Sequence, residues 1–326
     1  MAVYTIIKLK GLTPLHMGTG KENYDFSASC LHSDTISAAL TAMKARYDGS
    51  SGLEDFIGSF TVSSAFPYVN NQLFLPRPLG NIDVKVSDCE EYVSRKKLKA
   101  VRYIEQSLWN DLIVGKQLSI TSEQLKSGFM LPQTDSFKIP CKSVVNQRVA
   151  IPREEGKDAE PFFFDWTFFE KDAGLFCLTD ASGNKLDELV RLFCLLGENG
   201  IGTDKHVGGG KFYVETATVS VPDVCDTEKG MLLSLYIPTE EEINSSVDLD
   251  NSRFELCERG GYIAGSNEYE LWHLRKRSVY MLCVGSVLKY KEKLVGKVVD
   301  LCPTDYNDSR LHPVYRSGKP FIVPIK

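Results

Sequence analysis

The chain has 326 residues, of which 43% are hydrophobic and 25% charged, so it is long enough for a large core and two domains. Its formal net charge of −5 argues against a general nucleic-acid binder, for which a basic balance is expected. No apolar run approaches the length of a membrane span, and the first ten residues alternate like a strand rather than a signal peptide. Nine singly scattered cysteines without a C-x-x-C pair predict buried free thiols, no zinc site and a cytoplasmic location.

Charge is distributed unevenly along the chain. Residues 223–258 hold ten acidic and two basic side chains, whereas residues 271–297 hold seven basic and one acidic. Residues 85–102 hold six basic and three acidic side chains. Such runs are usually solvated faces. Segregation on this scale favours one surface for a polyanion and another, acidic surface that faces protein or solvent.

The N-terminal pattern predicts a strand over 3–9 and a helix that Ser33 caps and that ends at 49–52. Two strands, 60–66 and 72–75, are expected to form a hairpin through residues 67–71. After a long segment, a helix over 184–198 and a strand over 212–220 follow. The order β-α-β-β-(insertion)-α-β is that of a ferredoxin-like domain over residues 1–222, with an insertion at about 80–183.

The insertion is less clearly patterned than its flanks. We expect a strand or a helix over 96–103, a short helix over 107–114, and strands over 162–169 and 174–178. Between 146 and 160 the residues predict a polar, charged loop. A second, mostly β domain is predicted for 223–326, with strands over 231–237, 262–264, 279–287, 296–301, 313–315 and 321–325.

The run from 200 to 212 reads GIGTDKHVGGGKF and places glycines in the frame G-x-G-x5-G-x-G-x-F, among Lys205, His206 and Lys211. Glycine leaves its amide uncovered, and successive uncovered amides can accept phosphate oxygens. The run follows a predicted helix and precedes a predicted strand, so it is neither a Rossmann turn nor a P-loop. It predicts contact with a polyanion; a mobile connecting loop is the alternative.

Several motifs in this order resemble the RAMP superfamily of CRISPR proteins, and most closely subunit four of the type III-A Csm effector complex. They are Pro14-Leu15-His16-Met17-Gly18-Thr19-Gly20 after a strand, Ser33-Asp34-Thr35, Leu75-Pro76-Arg77-Pro78, Lys96-Lys97-x-Lys99, Asn146-x-Arg148, the glycine frame, and His312-Pro-Val-Tyr315 followed by Gly318-Lys319-Pro-Phe321. The resemblance spans nearly the whole chain. It implies an α+β fold of two ferredoxin-like (RRM-like) domains, with a thumb-like hairpin in the insertion.

The resemblance also implies a function. A subunit of this kind grips the repeat-derived 5′ handle of the CRISPR RNA and contacts both the large polymerase-palm subunit and the backbone RAMP subunit, without catalytic activity or a cofactor. Residues 146–157 would form the thumb, with Arg148, Arg153 and Lys157 for phosphates and Ile151 in an apolar wedge. The expected RNA-binding residues are His16, Gly18, Ser33, Lys96, Lys97, Lys99, Asn146, Arg148, Ile151, Gly200, Gly202, Lys205, Gly208, Gly209, Gly210 and Lys211.

Two other functions stay open at this point. A metal-independent RAMP endoribonuclease could use His16 as a general acid or base, since this chemistry needs a group with a pKa near 7. His16 has no evident partner in the sequence, although His206 could fold close to it. A phosphometabolite enzyme could use the glycine run as an anion nest. The acidic stretch at 223–258 favours an assembly subunit over a separate RNA processor.

Overall fold

A computed structural model gives the fold of the protein and describes residues 1–18, 24–132, 137–152, 156, 158–225, 227–263, 271, 274–304, 308 and 310–326. Thr19, Gly20, Arg153, Lys157 and Ala264, which belong to motifs or elements predicted above, lie outside the described residues. None of the helices in these ranges is long and apolar enough to cross a membrane.

Helices and strands alternate through the first two thirds of the chain. The elements are β1 (Ala2–Lys10), α1 (Ser33–Asp48), α2 (Leu53–Gly58), β2 (Phe66–Val69), β3 (Gln72–Pro76), β4 (Val84–Val86), α3 (Glu91–Ala100), β5 (Tyr103–Glu105), α4 (Gln106–Ile113), β6 (Leu118–Ile120), β7 (Leu125–Lys126), β8 (Phe129–Met130), β9 (Cys141–Ala150), β10 (Glu160–Phe169), β11 (Ala173–Thr179), α5 (Gly183–Asn199) and β12 (Tyr213–Val221). Single 3-10 turns lie at Ser122–Gln124 and Lys205–Val207.

Strands dominate the remainder. They are β13 (Lys229–Leu232), β14 (Val247–Arg253), β15 (Leu256–Arg259), β16 (Val279–Leu282), β17 (Val287–Tyr290), β18 (Val298–Asp300), β19 (Tyr315–Ser317) and β20 (Ile322–Pro324). Four of them form a sheet in the order β14-β17-β13-β20, and β15-β16 and β18-β19 form two-stranded sheets. The protein is therefore of the α+β class, and strands predominate in the described residues of its C-terminal part.

One large sheet organises the N-terminal part, with the strand order β12-β1-β11-β2-β3-β5-β8-β7. Strand β1, the second from one edge of this sheet, pairs antiparallel with both β11 and β12. Apolar residues of β1 that point to one face, such as Ile7 and Leu9, pack against α1 and α5 through Leu40 and Phe193. Residues on the opposite face, such as Ile6, pack against α4 and the C-terminal strands. Burial of these apolar residues drives the layered arrangement.

Three predictions about the N-terminal elements need correction. Phe60 to Ala65 is not a strand, because this segment makes only isolated bridges at Val62 and Ala65, and the hairpin consists of β2 and β3. Strand β11 was assigned to the insertion, but it pairs with β1 at the centre of the large sheet. The predicted polar loop after residue 146 begins as strand β9, which pairs with β10 along its full length.

The cysteines are free thiols, as predicted, but most of them are not buried. Cys177 is buried, which raises the pKa of its thiol to about 12. Cys194 and Cys225 are exposed, and the other six are half-buried. A single cysteine in a segment says little about which face of its element it occupies, so sequence alone could not separate these cases.

The N-terminal helix α1 is tied to the C-terminal strands through polar contacts. The buried Asp34 carboxylate accepts two hydrogen bonds from Arg259, at 3.0 and 3.1 Å, and Arg316 lies 3.5 Å from it. Burial alone would raise the pKa of Asp34, but the two guanidinium groups outweigh burial and lower it to about 2. The two parts of the chain therefore share a charged contact as well as an apolar core.

Candidate nucleic-acid interface

The glycine-rich run connects α5 to β12 and folds back on itself. The Ile201 amide donates to the Gly210 carbonyl at 2.9 Å, which closes the loop at its base. The Thr203 amide donates to the His16 carbonyl, and the Gly210 amide donates to the Pro14 carbonyl, each at 3.0 Å. The loop is therefore fixed to the segment that follows β1, which contains the other glycine-bearing motif of the sequence.

The prediction of an open nest of amides along this run is wrong for most of its length. The amides of Gly200, Ile201, Thr203 and 207–212 all donate to acceptors inside the protein. These donors are already satisfied, so a phosphate could reach them only by displacing internal hydrogen bonds. The nest was also the basis for a phosphometabolite enzyme, and that alternative loses its main support.

The glycines instead allow close packing of the backbone. A Cβ atom on Gly202 would lie 2.4 Å from the His16 carbonyl oxygen, and one on Gly210 would lie 1.8 Å from the Ile201 oxygen. A Cβ atom on Gly209 would lie 2.8 Å from the Trp166 ring, and one on Gly200 would lie 2.5 Å from the Gly209 oxygen. Only Gly208 of this set would meet nothing within 4 Å.

Basic side chains occupy the outer surface of the loop. Lys205 and His206 are exposed in the 3-10 turn, and Lys211 is exposed just before β12. Thr13 supports this conformation, because its hydroxyl donates to the Gly208 carbonyl and accepts from the Lys211 amide, each at 2.8 Å. The loop thus holds cations outward on a rigid backbone, an arrangement suited to a negatively charged strand.

Arg148 connects the hairpin of β9 and β10 to the glycine loop. Its guanidinium forms an ion pair with Asp204 and lies over the rings of Phe164 and Trp166, at 4.3 and 5.2 Å from their centroids. Asp204 adopts a left-handed backbone conformation with φ of 59°, which orients its carboxylate toward the hairpin. The structure therefore brings the predicted residue Arg148 together with the glycine loop, in which Gly202 and Gly208 are half-buried and Gly200, Gly209 and Gly210 are buried.

Other predicted hairpin residues lie farther out. Asn146 and Ile151 are exposed, and Ile151 is 80% accessible at the distal end of the ribbon. Val149 and Phe163 are also more than half exposed on the same hairpin. The ribbon therefore presents apolar side chains to solvent at its outer end, whereas Phe164 and Trp166 attach its inner end to the body.

His16 is buried, with only 1% of its surface accessible. Its Nδ1 lies 2.8 Å from the Asp165 carbonyl oxygen, and its ring lies 4.5 Å from the Phe164 ring. The expected direct contact of this ring with RNA is not available in this conformation, and the ring instead supports the base of the hairpin. Gly18 is exposed beside Thr203 of the glycine loop, with 3.7 Å between its Cβ position and the Thr203 hydroxyl.

Ser33 does not cap α1, contrary to the prediction. The N-cap is His32, which makes no side-chain capping bond. Ser33 is buried, and its hydroxyl accepts a hydrogen bond from the Leu235 amide at 2.9 Å, while its own amide donates to Ser64. A C-terminal segment therefore covers this helix end, and Ser33 is not open to an external anion.

Lys96, Lys97 and Lys99 lie on α3, far from the glycine loop. The strand that follows α3 is β5, which is five strands away from β12 in the large sheet. At about 4.8 Å per strand, this separation is roughly 24 Å. Lys96 and Lys99 are exposed and Lys97 is half-buried. The structure does not join these lysines to the loop surface.

Sequence reasoning missed several residues that build this surface. Asp204, Trp166 and Thr13 were not singled out; Asp204 is itself part of the loop and pairs with the distant Arg148, and Trp166 and Thr13 contact the loop from distant parts of the chain. An Asp beside glycines is a signal for a left-handed turn, but its ion-pair partner 56 positions away has no local signal.

Among the described residues, no group of three or more His, Cys, Asp or Glu side chains is arranged to hold a metal ion.

Comparison with known proteins identifies similar chains. Residues 225–325 match the family model for the CRISPR Csm4 C-terminal domain. The chain is 24% identical over 312 residues to the CRISPR system Cms protein Csm4 of Mycobacterium tuberculosis H37Rv, covering 94% of this chain and 93% of that protein. It is 24% identical over 267 residues to the protein of the same name from Thermococcus onnurineus NA1, covering 78% and 81%.

Solved structures share the fold. A chain in the crystal structure of a Csm1–Csm4 cassette in complex with cA4 matches with a TM-score of 0.63 at 18% identity, covering 100% of this chain and 98% of that one. A chain in the crystal structure of a Csm3–Csm4 subcomplex of the type III-A CRISPR-Cas interference complex matches with a TM-score of 0.62 at 18% identity, covering 99% of both. The resemblance predicted from the motifs is confirmed.

Proposed function

We propose that this chain, a Csm4-like protein of the RAMP superfamily, is a non-catalytic RNA-binding subunit of a type III-A CRISPR interference complex in the cytoplasm. In this proposal it grips the repeat-derived 5′ handle of the CRISPR RNA. It also links the large polymerase-palm subunit to the backbone RAMP subunit. The observation that carries the proposal is the surface that joins the glycine loop to the β9–β10 hairpin.

That surface combines the two features that single-stranded RNA requires. Lys205, His206 and Lys211 project from a backbone that internal hydrogen bonds hold in place. Phe163 and Ile151 on the adjoining hairpin supply exposed apolar groups. Cations contact phosphates and apolar or aromatic groups contact bases, so the two together favour a single strand over a small anion.

The hairpin is suited to the role of a thumb. A wedge that separates two bases costs a few kcal/mol of stacking, which new backbone contacts must offset. Ile151 and Val149 would form the wedge, and Asn146 lies on the same ribbon for contact with the RNA. Lys96, Lys97 and Lys99 would contact another part of the RNA, because five strands separate α3 from the loop.

We also propose that both parts of the chain are ferredoxin-like domains, with a boundary near residue 222. For the first part, the adjacent strands β12-β1-β11-β2 and the helices α1 and α5 on one face support this description. The insertion would then run from the end of β3 to the start of β11. For the second part, the four-stranded antiparallel sheet β14-β17-β13-β20 is the corresponding element.

The partners follow from similar proteins. The matching structures are described as a Csm1–Csm4 cassette and a Csm3–Csm4 subcomplex. We assign the acidic C-terminal stretch to a protein contact, because Leu256 and Tyr280 are 58% and 65% exposed beside the exposed carboxylates Glu255 and Glu258. The carboxylates would repel the phosphates of RNA. Together with the exposed apolar groups, they would suit a basic protein surface.

The test is incubation of the purified protein with labelled repeat RNA, with magnesium and with a chelator in parallel. We expect a mobility shift and intact RNA in both reactions, because His16 is buried and its Nδ1 is engaged. Site-specific cleavage that His16→Ala abolishes would replace this proposal with the endoribonuclease. Failure to co-purify with the products of neighbouring genes would contradict the assembly role.

A further inference from the structure

The large sheet has an open region on the face opposite α1 and α5. The C-terminal part covers this face near the start of β1, where the Tyr4 ring lies 5.2 Å from the Phe321 ring. Two rows higher on β1, the side chains of Lys8 and Lys10 border an open cleft of about 330 Å³. This volume lies at the lower end of the range for small-ligand pockets and corresponds to a single nucleotide rather than a long polymer.

The cleft contains more cations than carboxylates. Lys8, Lys10 and Lys171 line it together with Asp172 and Glu215. The Lys8 ammonium lies 5.2 Å from the centre of the Tyr68 ring, and the Lys10 ammonium lies 2.6 Å from Glu215. The hydrogen bond from Lys10 lowers the pKa of Glu215 below its usual value.

Polar amides complete the lining. Asn70 and Asn71 are exposed at the turn between β2 and β3, and both border the cleft. Asn70 adopts a left-handed conformation with φ of 53°, and its amide donates to the Asp172 carbonyl at 2.7 Å, which fixes the turn against the β10–β11 connection. A side-chain amide offers a donor and an acceptor side by side, which matches the edge of a nucleobase.

Tyr213 provides a flat ring beside Gly11, one of the residues that line the cleft. It pairs with Lys10 across β1 and β12 and is 79% exposed. One side of the ring lies over Gly11, where a Cβ atom would be only 3.4 Å from its Cδ2 atom. The backbone therefore supports one side of the ring while most of the ring remains open to solvent. Tyr213 also lies two residues after Lys211, so the ring is close in the chain to the last cation of the glycine loop.

We propose that this cleft is a nucleotide-binding site for single-stranded RNA, in which a base stacks on Tyr213 and Lys10 and Lys171 contact the adjoining phosphates. Asn70 and Asn71 would contact the edge of the held base. The inference rests on the proposed function, since the strand would pass from the glycine loop onto the sheet. Stacking on an aromatic side chain contributes enough per base to change RNA affinity measurably.

The test uses repeat RNAs that carry 2-aminopurine at successive positions. Stacking on Tyr213 should quench the fluorescence at one position in the wild type, and Tyr213→Ala should abolish that quenching and weaken binding about 5- to 100-fold. Tyr213→Phe should retain both. Tyr47→Ala serves as the matched control, because Tyr47 is 48% exposed on α1, which covers the opposite face of the sheet. A thermal melt of each variant confirms folding.

A parallel variant, Lys205→Gln with Lys211→Gln, separates this inference from the proposed function. Loss of RNA binding in the lysine variant but wild-type binding and quenching in Tyr213→Ala would overturn the cleft and leave the function standing. Unchanged binding in both variants would overturn both. If Tyr213→Ala binds RNA like the wild type but no longer binds a purified partner subunit, the surface is a protein contact. That result would also overturn the proposed nucleotide site.

Discussion

Glycines 202 and 208 of the loop share one backbone conformation but have different surroundings. Their φ angles are 87° and 88°, in the left-handed region that L side chains rarely adopt. A side chain at Gly202 would meet the His16 carbonyl, whereas one at Gly208 would meet nothing within 4 Å. A side chain at either position would therefore incur the strain of a left-handed residue, about 1–2 kcal/mol. Only a side chain at Gly202 would also collide with the backbone of another segment.

We predict that Gly202→Ala lowers the free energy of unfolding clearly more than Gly208→Ala. Both variants are destabilised by the conformational strain. In Gly202→Ala the new methyl group would also push the loop away from the His16 carbonyl and weaken the hydrogen bond that the Thr203 amide donates to it. Urea unfolding of the two variants beside the wild type measures the difference. Equal losses would mean that the close contact contributes nothing to stability.

Asp34 provides a second prediction at the residue scale. Its lowered pKa, about 2, means that the carboxylate stabilises the folded protein above the unfolded pKa near 3.9 and that this contribution is lost as the pH falls from about 4 to 2. The shift corresponds to roughly 2–3 kcal/mol. Asp34→Asn should therefore destabilise the protein at pH 7 and flatten the acid side of the stability profile.

The measurement is the unfolding free energy of wild type and Asp34→Asn at several pH values. Removing one member of a buried ion pair leaves Arg259 and Arg316 without their carboxylate, so the loss at pH 7 should be about 3–5 kcal/mol. Glu258→Gln is a suitable control, because Glu258 is an exposed carboxylate on the adjoining strand. An identical acid profile in Asp34→Asn and the wild type would refute the assignment.

At the scale of elements, the β9–β10 hairpin has an inner end that is packed and an outer end that is not. Phe164 and Trp166 are buried at the inner end of the hairpin. Farther along β9, Arg148 connects the hairpin to the glycine loop through its ion pair with Asp204. Beyond Arg148, the described residues of the ribbon up to Pro161 are exposed, apart from the half-buried Pro152. The outer part can therefore be removed without disturbing the core.

We predict that shortening the hairpin weakens the hold on RNA without unfolding the protein. Residues 149–161 would be replaced by Asn-Gly, which closes the paired residues Arg148 and Phe162 with a two-residue turn. Chemical probing should then show altered base accessibility where handle meets guide. Ile151→Ser, which keeps the ribbon, tests the wedge separately. Identical probing of the RNA with the short and the full hairpin would rule out a thumb.

The periodic pattern of apolar residues was sufficient to predict some helices and strands but not others. The helix α5 and the strand β1 were predicted nearly to the residue, because their apolar residues follow the helical and strand periods without interruption. The segment from Phe60 to Ala65 also contains apolar residues, but its burial comes from isolated bridges to Thr179 and Leu31. Such tertiary contacts have no period in the sequence.

The candidate surface shows the same division. The glycine frame identified the loop and its exposed lysines, because residue type alone carries that signal. It did not reveal that the loop is bonded to another segment, since the Pro14 and His16 carbonyls and the Thr13 hydroxyl, which accept from three of its amides, lie almost 200 residues earlier. The same holds for the pair of Arg148 with Asp204. Function-bearing contacts between distant segments require the fold.

For the whole molecule, charge segregation separates two kinds of surface. The exposed cations of the glycine loop lie on the N-terminal part, whereas the C-terminal part exposes carboxylates such as Asp250, Glu255 and Glu258 on β14, β15 and their connection, and holds its own exposed cations, such as Lys291 and Lys293, in a separate segment. The net charge of −5 hides this division. Under the proposed function, a strand of RNA attracted to the glycine loop would be repelled by these carboxylates, which would help to orient the RNA on the protein.

The most direct test of RNA gripping is the affinity for a fluorescent repeat-derived handle RNA, measured by anisotropy at several salt concentrations. We predict that Lys205→Gln with Lys211→Gln weakens binding about tenfold or more and reduces the salt slope by about 1.4, since each phosphate contact to a single strand contributes about 0.7. The control, Lys291→Gln with Lys293→Gln, removes the same charge from exposed positions on the C-terminal part and should bind like the wild type. Equal affinity and equal salt slope in the loop variant and the wild type would contradict the assignment of this loop to RNA.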